Sequence, residues 1–87
     1  MQIDLGRDAY KFLKNLDPKQ FKQICMKIWD LAGNPYPNDS IALKNSPEGY
    51  RRASIGEYRI VYRLDEEIVR IDYIDKRNDD AVYKRLK

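Results

Sequence analysis

The chain opens on a short alternation. Ile3 and Leu5 sit between the polar Gln2 and Asp4, which predicts a brief strand over Gln2–Leu5. A helix is predicted over Arg7–Leu16, with Tyr10, Leu13 and Leu16 on one face. Asp17-Pro18 then reads as an N-cap and a first helical position. Behind it, Phe21, Ile24, Cys25, Ile28, Leu31 and Ala32 recur at steps of three and four residues and form one apolar stripe. Gly33-Asn34 ends this second helix, and Pro35 and Pro37 keep it ended.

The period then changes. Residues 34–49 read as a loop rich in Pro, Asn, Asp and Ser, interrupted by Ile41-Ala42-Leu43-Lys44, with Leu43 tucked against the edge of the core. From Tyr50 onward the apolar positions alternate. Strands are predicted at Tyr50–Ile55, Tyr58–Leu64 and Ile68–Ile74, joined by tight turns at Gly56-Glu57 and Asp65-Glu66-Glu67. Asn78 caps a short final helix, Asp79–Leu86, with acids in its first turn and Lys84 and Arg85 in its last. The order β-α-α-β-β-β-α predicts an α+β fold: two N-terminal helices packed on one face of a twisted antiparallel sheet, in a single domain spanning 1–87. The other face of that sheet is left open.

Alternation also assigns side chains to faces. Ala53 and Ile55 point inward, leaving Tyr50, Arg52 and Ser54 outward; Tyr58, Ile60 and Tyr62 pack inward, leaving Arg59 and Arg63 outward. In the last strand Ile68, Arg70, Asp72 and Ile74 are expected to oppose Val69, Ile71 and Tyr73. Lys76 and Arg77 leave the end of that strand, and Tyr83 follows on the final helix. Arg52, Arg59, Arg77, Lys76, Tyr50 and Tyr83 are thereby directed to one open face. Guanidinium forks bind phosphate, and aromatic rings stack on unpaired bases, so the set suits single-stranded RNA. The plain alternative is a solvated charged face.

Composition narrows the chemistry. The balance of 17 basic and 14 acidic residues leaves a net charge of +3, so a nucleic-acid site must come from local clustering. No stretch approaches the roughly 20 apolar residues of a membrane span, and the first residues carry no secretory-leader pattern. The single cysteine, Cys25, excludes an internal disulfide, fits a reducing cytoplasm and reads as a small core residue. The absence of histidine excludes Ser-His and Cys-His pairs and histidine metal sites, and no acidic spacing matches a calcium loop. No metal or cofactor is predicted.

The runs GYRRASIGEYRIVYRL and IDYIDKRNDDAVYKRL resemble the RelE branch of the RelE/ParE toxin superfamily. The resemblance rests on Leu43-Lys44, on Gly56-Glu57-Tyr58-Arg59, and on Lys76-Arg77 followed by Tyr83. It implies the toxin of a type II toxin–antitoxin system: a cytoplasmic, metal-independent endoribonuclease, or mRNA interferase, that cuts mRNA in the ribosomal A site and arrests translation. The 2′-hydroxyl attacks the adjacent phosphate. The implied partners are a cognate antitoxin, mRNA and the 70S ribosome, with a toxin–antitoxin hetero-oligomer and no membrane. Carried over by position, Arg59, Arg77 and Tyr83 are the catalytic candidates; Arg52, with Arg51 as the alternative, and Lys44 and Lys76 are the RNA-binding ones. Two positions depart from the pattern. A second basic residue is missing from the strand before the Gly-Glu turn, where Ser54 or Ala53 stands, and Asp75 precedes Lys-Arg where many members have glycine. Two other readings share the fold: a non-catalytic ParE-like toxin that binds gyrase, and an inactive relative that binds only its antitoxin.

Overall fold

The computed structural model describes residues 1–76, and the final helix expected over Asp79–Leu86 lies outside them. Within that range the order is β1 (Gln2–Leu5), α1 (Arg7–Lys14), α2 (Pro18–Gly33), β2 (Ser40–Ala42), β3 (Arg51–Ile55), β4 (Tyr58–Asp65) and β5 (Ile68–Lys76). The five strands form one sheet in the order β1-β5-β4-β3-β2. The meander from β3 to β5 is antiparallel, as alternation and short turns predict, and β2 adds to β3 in the same antiparallel sense. β1 adds itself in parallel to the outer edge of β5, which makes the sheet mixed. A parallel neighbour needs a long crossover, and the helical pair with the meander supplies it.

The helices begin and end for local reasons. The Asp17 carboxylate accepts from the Gln20 backbone N–H at 3.0 Å, with Pro18 in the first turn. α1 stops at Lys14, two residues short of the expected Leu16, yet Leu16 still packs against the core. The packed stripe is narrower than the periodicity suggests: Ala9, Leu13, Ile24, Ile28 and Leu31 are buried, whereas Tyr10 and Phe21 are exposed. In place of Tyr10, Phe12 turns to the sheet and meets Tyr58 edge-to-face at 6.0 Å. Cys25 is partly buried, and desolvation raises its thiol pKa.

The sheet contributes Ala53, Tyr58, Ile60, Tyr62, Val69, Ile71 and Ile74 to the same core. The turn between β3 and β4 needs Gly56: its φ is +56°, and a Cβ there would come within 3.0 Å of Gln23 Nε2 on α2. Residues 34–49, expected to be loop, hold the short edge strand β2, and the next strand begins at Arg51. They are fastened to the sheet from below. The buried Tyr62 hydroxyl donates to the Pro35 carbonyl at 2.6 Å, and Arg51 donates to Ser40 Oγ at 2.9 Å while lying 5.0 Å from the Tyr36 ring centre.

β5 departs from strict alternation. Its register with β4 shifts between Val61 and Tyr62: Tyr73 opposes Val61, but Ile71 opposes Tyr62, so Asp72 is the extra residue of a β-bulge. The bulge lets Ile71 and Ile74 both reach the core and leaves Asp72 and Tyr73 on the open face; Asp72 lies opposite Ile71 as expected, while the faces expected for Tyr73 and Ile74 are exchanged.

Candidate nucleic-acid interface

On the face away from the helices, cross-strand pairing lays the side chains out in rows. The first row is Ser54, Arg59 and Asp75. The second is Arg52, Val61 and Tyr73. The third pairs Arg63 with Arg70, with Asp72 bulged beside it. Directly opposed like charges destabilise a sheet, and here carboxylates offset them. Arg63 Nε lies 3.6 Å from Asp72, and Arg70 is bracketed by Asp65 at 3.0 Å and by Asp4 of β1.

The rows differ in accessibility. Arg59 is only 8% exposed, and its Nη2 donates to the Lys76 carbonyl oxygen at 3.2 Å. Asp75 is also 8% exposed, and Val61 is fully buried although it lies outside the main apolar cluster. Arg52, Tyr73 and Arg63 are half-buried. Tyr50 joins the third row from just before β3: the Arg63 guanidinium lies 6.0 Å from its ring centre. Desolvation pushes the Tyr50 hydroxyl pKa up to about 12, and its hydrogen bond to Asp72 adds to the rise.

Of the residues expected from sequence, the sheet brings Arg52 and Arg59 to one face, in adjacent rows. Arg51 goes to the opposite face, where Ser40 and Tyr36 hold it. Lys76 is exposed at the end of β5; it is the last residue of the strand, not a position beyond it, and opposes Tyr58 on the helix side. Lys44 is exposed beyond β2, in the segment before Asn45 and Gly49, which take φ of 60° and 76°. Arg77 and Tyr83 lie outside the described residues. Sequence reasoning missed Tyr73 as an open-face aromatic. The signal was present: Val69, Ile71 and Ile74 are apolar at a step of two and then of three, which is the spacing a bulge produces.

A second surface lies away from these rows. Met1, Ile3, Trp29, Ala32 and Gly33 line a groove of about 670 Å³ beside α2 and β1. Trp29 is 75% exposed there, and Met26, on the same helix, is also exposed. Among the described residues no group of three or more His, Cys, Asp or Glu is placed to hold a metal, and no helix is long and apolar enough to cross a membrane.

Comparison with known proteins places this architecture. The family model described as the ParE toxin of the type II toxin–antitoxin system parDE matches residues 4–81. A relative from Methanocaldococcus jannaschii that bears the name RelE1 is 32% identical over 87 residues, covering 94% of this chain and 93% of its own. The archaeal RelE–RelB complex from Pyrococcus horikoshii contains a chain that superposes with a TM-score of 0.76 at 21% identity, covering 87% of this chain and 93% of that one. The RelBE2 toxin–antitoxin complex of Mycobacterium tuberculosis gives a TM-score of 0.75 at 26% identity, covering 86% and 95%. The chain is therefore a member of the RelE/ParE superfamily of type II toxin–antitoxin toxins.

Proposed function

We propose that this toxin is a ribosome-dependent endoribonuclease that cleaves mRNA in the decoding site. The observation that carries the reading is the placement of Arg52 and Arg59 in adjacent rows of the sheet face not covered by the helices. Arg77 is bonded directly to Lys76, at the end of the strand that carries Asp75. In the proposed reaction the 2′-oxygen of one nucleotide forms a bond to the adjacent phosphorus and the bond to the 5′-oxygen breaks. The products are a 2′,3′-cyclic phosphate and a 5′-hydroxyl, and the net proton movement is from the 2′-oxygen to the leaving 5′-oxygen.

The residues act by electrostatics and positioning. Arg59 stabilises charge on the phosphate, Arg77 the scissile group and the leaving oxygen, and Tyr83 stacks on a base and orients the nucleophile. Arg52 holds the neighbouring backbone, with Lys44 and Lys76 as peripheral cations. A guanidinium keeps its proton up to pH of about 12, so neither arginine is assigned the role of general base. The partner of the free toxin is a cognate antitoxin, as in the RelE–RelB and RelBE2 complexes, and the exposed Trp29 groove supplies apolar surface for it. By mass action the antitoxin raises the melting temperature of the toxin.

The test is primer extension on an mRNA held on programmed ribosomes. Wild type should cut within the decoding-site codon. Arg77→Ala and Arg59→Ala should each lose about 10²–10³ in rate, the scale of removing one transition-state donor. One observation favours a second reading, a gyrase-directed toxin without nuclease activity: the matching family model is the ParE one. Uncut mRNA together with inhibited DNA supercoiling would select it.

A further inference from the structure

Among the described residues the Arg63 guanidinium makes no hydrogen bond. Its Nε is buried without a partner, and the Asp72 carboxylate stands 3.6 Å away, beyond hydrogen-bond reach. The side chain is still 32% exposed, so a ligand can reach it. Asp72 also has capacity left: a carboxylate offers about four acceptor sites, and the Tyr50 hydroxyl takes one. The Tyr50 ring centre lies 6.0 Å from the Arg63 guanidinium, and the backbone behind the ring is pinned. The Tyr50 carbonyl accepts from the Leu43 N–H at 2.9 Å, and the Tyr50 N–H donates to Ser46 Oγ at 3.0 Å. A donor fork, an acceptor and a fixed aromatic ring thus meet in the third row of the open face.

Charge decides which class of ligand suits them. Around this row two guanidinium groups, Arg63 and Arg70, face three carboxylates, Asp72, Asp65 and Asp4. The excess negative charge disfavours a phosphate and favours a neutral base. Guanine matches the pair: its O6 and N7 accept from an arginine fork, and its N1–H and amino group donate side by side to a carboxylate. Adenine, cytosine and uracil each offer the carboxylate a single donor group.

We propose that Tyr50, Arg63 and Asp72 form a guanine-reading subsite for single-stranded RNA. Tyr50 stacks on the base, Arg63 donates to it and Asp72 accepts from it. The inference rests on the reading of the open face as an RNA site. Arg63 lies four residues from Arg59 in β4, about 13 Å at about 3.3 Å per residue, so the base it reads belongs to a nucleotide outside the scissile pair.

The test uses full-length protein and fluorescent uridine-rich RNAs, blocked against cleavage by 2′-O-methyl groups, each carrying one guanosine, adenosine or cytidine. Wild type, read by anisotropy, should bind the guanosine RNA about tenfold tighter than the adenosine RNA, the scale of one bidentate base contact. Asp72→Asn and Arg63→Lys should each bring that ratio below about twofold, since each breaks one half of the match. Tyr50→Ala should weaken all the RNAs alike by about tenfold, the scale of one lost stacking contact, and Tyr50→Phe should restore them. Equal wild-type affinities overturn the proposal and leave the RNA reading standing. A guanine preference that survives both Asp72→Asn and Arg63→Lys, or unchanged binding in Tyr50→Ala, also overturns it.

A second probe covers the case in which wild type binds no RNA. The four nucleoside 5′-monophosphates, which share one phosphate, are titrated against the Arg63 Nε–H nuclear magnetic resonance signal. If the guanosine nucleotide shifts that signal at about tenfold lower concentration than the others, the subsite stands and the RNA reading falls. If all four shift it alike, or none does, the subsite falls. Melting temperatures are read alongside; should Asp72→Asn fail to fold, Arg63→Lys makes the same test with the charge kept.

Discussion

The two faces of the sheet solve opposite problems with neighbouring residues. Ile60 and Val61 are adjacent in β4, and both are fully buried. Ile60 points into the apolar cluster with Ile24, Leu31 and Ile71. Val61 points the other way, into rows that contain Arg52, Arg59, Asp72 and Asp75. The helix side is held by burial of hydrocarbon, which is non-directional and scales with area. The open side is held by pairing of charges, which depends on register and on the identity of each partner. A fold of this kind can carry a polar, charged face because its other face supplies most of the buried hydrocarbon.

That asymmetry can be tested most sharply with the adjacent pair. Ile60→Ala should destabilise the protein by about 2–5 kcal/mol, since it leaves a cavity in a closed core. Val61→Ala removes fewer carbons from a site outside that cluster and should cost less, about 1–2 kcal/mol at roughly 0.8 per methylene-sized group. Urea unfolding of both variants, with unchanged m-values, is the measurement. Equal losses would mean that the open face shares the core. The next largest effect is expected where the helix side turns polar. Tyr62→Phe leaves the Pro35 carbonyl without its 2.6 Å partner and should cost about 1–3 kcal/mol. If that bond fastens residues 34–49, amide exchange in that segment should quicken in the variant while exchange in β5 does not.

Legibility in the sequence follows the same division. The helices, the meander and the side on which Ala53, Ile60 and Tyr62 pack could be read because hydrophobic periodicity reports burial directly. Pairing across strands left weaker traces. β1 joins β5 in parallel through contacts between residues some 66 positions apart, which no local pattern encodes. β2 is three residues long with two of them exposed, so it carries no alternation to detect. Arg51 and Arg52 are indistinguishable by type; alternation from Ala53 and Ile55 turned Arg52 to the open face, as the register with Val61 has it, but the Ser40 and Tyr36 partners that hold Arg51 left no trace in the pattern. The bulge at Asp72 was encoded in the spacing of Ile71 and Ile74, but a strict period of two hides it. The motif residues Arg59 and Lys76 were visible as types and positions; the burial of Arg59 against the end of β5 was not.

The smallest effect at neutral pH, and the one most specific to the open face, concerns Tyr50. Its hydroxyl is held protonated by desolvation and by the bond to Asp72, against the nearby charge of Arg63. The folded pKa is about 12, against an ordinary value of 10.0. Below pH of about 10 both folded and unfolded chains keep the proton, and Tyr50 adds no pH dependence. Between about 10 and about 12 the unfolded chain releases it while the folded chain does not. The unfolded state then binds fewer protons, and stability must fall as pH rises through that window. Lysines titrate there too, so the informative quantity is the difference between wild type and Tyr50→Phe, which should have a flat contribution at this position. Absorbance titration near 295 nm should show one tyrosine ionising later than the exposed ones. Asp72→Ala should bring that step part of the way down toward 10, because it removes both the acceptor and the negative charge while the larger effect of desolvation remains. A late step that stays in place without Asp72 would assign the rise to burial alone, and the third row would then be held by Arg63 and Tyr50 without the carboxylate.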